Sequence, residues 1–216
     1  MAAALDLERR RSDLAADVRR RLDDAEGRLL AHLEAALPAP RLPEARDLLR
    51  RFKSRVEQGD LRNARVDMDR LAALLPAADA TVTALLPRLT ALAFLDLAER
   101  QADRQYYTRS LQVLADGLTL LPGEPMLLTA RDRYLAGRSE FLLRNVVTEP
   151  DSLESLLVRE AADHLRTAAP ARFQAVTAEL RHPVADTLAR LETAQPDRAA
   201  TLRGLAAGIF GVDAGS

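Results

Sequence analysis

Ala45 to Pro76 contains Gln58-Gly59-Asp60-Leu61-Arg62-Asn63-Ala64, followed by Met68, Leu71 and Pro76. Before it, Pro43-Glu44 opens a helix, because proline at a first-turn position lacks an N–H that would have had no partner anyway. Leu48, Leu49, Phe52 and Val56 give that helix an apolar stripe at three- and four-residue steps. Gly59-Asp60 ends it, and a second helix carries Ala64, Met68, Leu71 and Leu75 to Pro76. The stretch predicts two short antiparallel helices joined by a tight turn. The remainder of the chain supplies more helix on either side, so the fold class is all-α.

Composition agrees. Of 216 residues, 48% are hydrophobic and 29% charged, only 4% are aromatic, and Gly is 9. Ala, Leu, Arg, Asp and Glu lose little rotamer freedom in a helix, and strand formers are too sparse to build a sheet. The net charge of −1 gathers neither nucleic acid nor an anionic membrane. Lys53 is the one lysine, and the arginine and alanine bias fits a GC-rich bacterial genome. The absence of cysteine excludes disulfides, thiolate catalysis and thiolate metal sites. No stretch approaches the roughly 20 apolar residues of a membrane span, and the first residues lack the apolar core of a signal peptide. The expectation is a soluble chain without direct membrane insertion, cytoplasmic as written and periplasmic if excised from a longer anchored protein.

Residues 1–37 read as one long amphipathic helix. Leu14, Val18, Leu22, Ala25, Leu29 and Leu33 share one face. Arg9-Arg10-Arg11 and Arg19-Arg20-Arg21 look basic, but Asp6, Glu8, Asp13, Asp17, Asp23 and Asp24 are interleaved with them. That face reads as a salt-bridge-laced surface. A helix of this length suits a coiled coil or partner helix, and so a homo-oligomer. Pro38, Pro40 and Pro43 separate it from the next helix.

Residues 38–138 form the next region. Its first hairpin resembles a tetratricopeptide repeat: Leu48 stands at the large early position, Gly59-Asp60-Leu61 at the interhelical turn, Ala64 at the small crossing position, and Pro76 at the close. Phe52 and Arg55 depart from the family pattern, which prefers a small residue and an aromatic there. A second unit lies over residues 91–122, with Phe94, Leu97 and Ala98 in its first helix and Ser110, Leu114, Gly117 and Pro122 in its second. Gln105-Tyr106-Tyr107 makes its turn. Pro76 and Pro122 are 46 residues apart rather than the family's ~34, so Ala77 to Arg88 reads as an insert carrying one helical turn that ends at Pro87. A third first helix runs from Pro125 through Leu127, Leu128 and Tyr134 to Leu135, without a partner helix that fits the pattern.

The resemblance, over residues 45–137, implies a short α-solenoid of helix hairpins whose first helices line a groove for a protein partner. Carried over by position, Arg46, Leu49, Lys53 and Val56 would face that groove from the first unit, and Leu92, Leu95 and Glu99 from the second. The resemblance thus implies a non-catalytic protein–protein interaction scaffold or adaptor. The alternative is a structural subunit oligomerising through the N-terminal helix, and a helical enzyme is the remaining class.

Residues 139–216 read as a bundle or cap of short helices, each opened by a break: Pro150 with Ser152, then Pro170, Pro183 and Pro196. Gly204 and Gly208 are read as letting a neighbouring helix approach. No catalytic, cofactor or metal motif emerges. His32, His164 and His182 are the three histidines, and none stands in a ligand pattern. Asp67 and Asp69, two apart on a helix, point away from each other and cannot share a proton. The expectation is no cofactor, no metal and no enzyme activity.

Overall fold

The structure, a computed structural model, describes residues 2–76, 79–101 and 107–212, with side chains from residue 13 onward. The described residues are helical and contain no strand. They fall into two compact units, residues 1–132 and 133–216.

In the first unit α1 runs from Ala2 to Ala36. Val18, Leu22, Ala25, Leu29, Leu33 and Leu37 are all buried, so the predicted stripe is the face that packs. Arg20 meets Asp17 at 2.5 Å and Arg28 meets Asp24 at 3.1 Å, as the interleaved charges predict for the outer face. The prolines end α1, and a 3-10 turn over Ala39–Arg41 leads into α2, Leu42–Gln58.

Gly59 stops α2 with φ 72°, a left-handed conformation that a residue with a Cβ adopts only at a cost. Asp60 then caps α3, Leu61–Ala73, by accepting the Asn63 N–H. The Asn63 side-chain amide first, and then that backbone hydrogen bond, hold the Asp60 carboxyl below its ordinary range.

The insert departs from expectation. It does not stop at Pro87; a π-helical turn, Thr81–Leu85, runs directly into α4, Leu86–Gln101. The Leu86 N–H reaches the Thr81 carbonyl. Proline is accommodated because the hydrogen-bond register changes one residue before it. Contrary to the sequence reading, the 21 residues Thr81–Gln101 are long and apolar enough to cross a membrane, yet 67% of their most apolar window is buried inside the protein. Every residue from Ala91 to Ala98 is buried, the mark of a helix enclosed on all sides.

α4 packs against α1, α2 and α5, Tyr107–Leu120. The crossing with α5 is close. Ser110 donates to the Ala98 carbonyl at 2.9 Å, and a Cβ on Gly117 would lie 2.9 Å from both Phe94 and Leu127. The expected turn at Gln105-Tyr106 lies outside the described residues. α6, Pro125–Asn145, comes next.

The second unit contains the end of α6, a 3-10 turn over Pro150–Glu154, and then α7, Leu156–Ala168; α8, Pro170–Ala194; and α9, Pro196–Phe210. The break expected at Pro183 is absent, for Pro183 lies inside α8. Val176, Leu180, Val184 and Leu188 form one buried stripe through it. At about 1.5–3 kcal/mol for each buried side chain, that stripe outweighs the roughly 3 kcal/mol an interior proline costs. α9 buries Ala199, Leu202, Ala206 and Phe210, which turns Gly204 and Gly208 outward. No atom lies within 4 Å of a Cβ built on either, so they do not mediate a helix crossing within the unit. Gly211, φ 63°, ends α9, and residues 213–216 lie outside the described residues.

Candidate functional site

α2 and α4, the first helices of the two hairpins, carry the seven residues the resemblance places on a groove. In the structure that face is covered, and the cover is α1. Leu49 and Val56 are each 2% exposed, Leu92 0% and Leu95 5%. Glu99 is half-buried. Arg46 pairs with Glu34 of α1, and Lys53 with Glu26 of α1 at 2.5 Å. The two pairs run in opposite sequence directions, so α1 lies antiparallel to α2.

α4 is fastened to α1 in the same sense. Asp96, 3% exposed, accepts from Arg19 at 2.9 Å and from Arg100 at 2.9 Å. The hydrogen bond and charge of Asp96 hold the Arg19 guanidinium above its ordinary pKa. Arg100 also reaches Glu57 of α2 at 3.1 Å. At the other end of α1, His32 Nε2 lies 2.8 Å from Asp79. Asp79 also accepts the Thr81 N–H at 2.8 Å. The Thr81 N–H first, and then His32, hold the Asp79 carboxyl below its ordinary range. Arg19 and Leu22 of α1, Val56 of α2, and Ala93 and Asp96 of α4 share the walls of a cavity of about 110 Å³. It is the small gap left where the three helices meet.

Sequence reasoning treated the charges of α1 as pairs along its own surface and so missed Arg19, Glu26 and Glu34 as contacts to other helices. One signal was available. Glu26 and Glu34 are eight apart, flank the buried Leu29 and Leu33, and match Arg46 and Lys53, seven apart. Charges spaced about two helical turns apart on two helices can meet in register if the helices pack. Asp96 offered no such signal, since one aspartate amid leucines is read as a single polar lapse.

Asp67 was missed too. Considered only as unable to share a proton with Asp69, it is 1% exposed, with Arg55 at 2.5 Å and Arg51 at 3.9 Å. Arg55 also donates to the Asn63 carbonyl at 2.8 Å. The arginine that departs from the repeat pattern therefore has a matched buried acid on the facing helix, and the pair ties α2 to α3.

The arrangement is one of an apolar strip with charged margins seated on an amphipathic helix. Among the described residues no group of three or more His, Asp or Glu is placed to hold a metal. The class the fold and site define is an all-helical protein whose first unit is built from packed helix pairs around a buried central helix. Compared with protein-family models, with curated proteins and with solved structures, the chain matches none.

Proposed function

We propose that the chain is a non-catalytic protein–protein interaction scaffold, in which tetratricopeptide-like hairpins α2–α3 and α4–α5 present an α2/α4 face that binds an amphipathic helix. The supporting observation is the seat of α1. An apolar strip of Leu49, Val56, Leu92 and Leu95 lies between charges that each meet an opposite charge on the seated helix. This is the helix-in-groove mode of recognition, with anchors on one face and ion pairs setting direction. The ion pairs are half-exposed, so they supply register more than affinity. The buried leucines and valines supply the affinity.

The test is complementation in trans. A labelled peptide of residues 13–37 is titrated into the full chain and into a Leu29→Ala, Leu33→Ala variant whose own α1 is weakened. Because a resident helix lowers apparent affinity by the fraction of time the face is free, the variant should bind the peptide at least about tenfold more tightly. Adding Arg46→Glu and Lys53→Glu should abolish the gain. Equal, weak binding to both chains would refute the reading.

A further inference from the structure

We propose that α1 is exchanged between two copies of this chain, each α2/α4 face holding the α1 of the other copy, with Leu37 to Leu42 as the hinge. The inference rests on the α2/α4 face being a helix-binding face.

Exchange keeps every contact of the seat. The buried positions Val18, Leu22, Ala25, Leu29 and Leu33, and the charged groups Arg19, Glu26, His32 and Glu34, meet the same partners whether they come from one chain or two. A foreign helix would have to match that apolar spacing and that order of charges together. A second copy matches them by identity, which is why exchange of an identical element is a low-cost route to dimers.

The connector is built for opening. Pro38, Ala39, Pro40 and Arg41 are all exposed, so packing holds the connector only at its ends, through the buried Leu37 and the half-buried Leu42. Within it the Arg41 N–H donates to the Pro38 carbonyl at 2.9 Å. Three of its residues, Leu37, Ala39 and Leu42, precede prolines, and proline pushes the residue before it out of the helical region toward extended conformations. Leu42 is nevertheless at φ −60°, ψ −42°, and Ala39 lies in the 3-10 turn. The preference of all three residues is thus for an extended connector. That form carries α1 away from its own α2, while the prolines keep the two helices from merging into one.

The full chain is used for the test, and its lack of cysteine makes introduced thiols unique. Glu34→Cys and Arg46→Cys variants are concentrated together, opened briefly in denaturant, returned to native buffer and treated with a short bis-maleimide. Exchange should give at least about tenfold more interchain cross-link than a mixture of Glu34→Cys with Thr193→Cys, because it holds residues 34 and 46 of different chains at a high effective concentration. Light scattering on the unlabelled chain should give twice the monomer mass, and Pro38→Gly, Pro40→Gly should lower the dimer fraction. The double variant Glu34→Cys, Arg46→Cys at low concentration separates the two readings. A within-chain cross-link there, with no interchain product in the mixture, overturns exchange and leaves the binding face standing. Failure of both cross-links overturns the binding face as well.

Discussion

Leu29→Ala tests the seat of α1 directly. Leu29 is 0% exposed in the middle of the buried stripe, between Ala25 and Leu33. Removing its branched end forfeits a transfer term of about 0.8 kcal/mol per methylene, or roughly 2.4 kcal/mol in all. A cavity term of about 24 cal/mol per Å³ of unfilled space is added to it. α1 is solvated on its outer face and settles partly into the gap, which places the total at about 3 kcal/mol rather than at the upper end of the leucine-to-alanine range. For a unit of this size that corresponds to a fall in Tm of roughly 10 °C. The assay is urea unfolding followed by far-UV circular dichroism, with the midpoint shifted and the slope unchanged. Leu14→Ala, at a half-buried position, is the control and should cost no more than about 1 kcal/mol. If Leu29→Ala shifts stability by less than about 0.5 kcal/mol, as a surface change does, α1 is not part of the core of this unit and the account of its seat is refuted.

Arg55→Met leaves the Asp67 carboxylate buried with Arg51 alone, and should cost about 2–3 kcal/mol, less than a fully buried pair would because Arg55 is itself partly exposed. Asp67→Leu with Arg55→Met should recover most of that loss, and a double-mutant cycle in urea measures the coupling. Gly117→Ala gains about 1 kcal/mol of helix propensity but drives a methyl against Phe94 and Leu127, so it should destabilise by about 1 kcal/mol net. Gly204→Ala, with open space around it, should instead stabilise by up to about 1 kcal/mol; both are read from the thermal midpoint. Asp79 has its folded pKa below the ordinary 3.8, so its contribution is present above that value and lost as pH falls through the folded one. The drop in Tm between about pH 7 and about pH 3 should therefore be smaller in Asp79→Asn than in the wild type.

What could be read from the sequence was whatever one helix or one turn decides by itself. The leucine spacing of α1, the proline break after Leu37, the Gly59-Asp60 turn and the small residues Ser110 and Gly117 all correspond to features of the structure. Each arises from backbone preference or from a stripe within a single helix. The failures share another cause, for each was decided by a neighbour. Pro183 signals a break until the buried stripe on both sides of it is weighed. Pro87 signals a stop until the π turn before it changes the hydrogen-bond register. Gly204 and Gly208 suggest a crossing, but Leu202, Ala206 and Phe210 turn that side of α9 outward. Asp67 and Asp96 acquire their partners only when α2 faces α3 and α1 faces α4.

The covered α2/α4 face has a physical cause that lies in the side chains themselves. A helix face left open to water needs a lining that water tolerates. Leu49, Val56, Leu92 and Leu95 form too apolar a strip for that. Left wet, they would forgo about 1.5–3 kcal/mol each, and the enclosed run Ala91–Ala98 of α4 would have a bare side. α2 and α5 cover two sides of α4, and α1 supplies a third. The same apolar strip that requires a cover also selects it. A helix that meets Lys53 and Arg46 with acids, at the register Glu26 and Glu34 already set, pairs both of those charges, and a base at the place of Arg19 adds a second partner to Asp96 beside Arg100. If the face binds a helix as proposed, that helix competes with α1 and carries the same order of charges, and it gains the face only when α1 has vacated it.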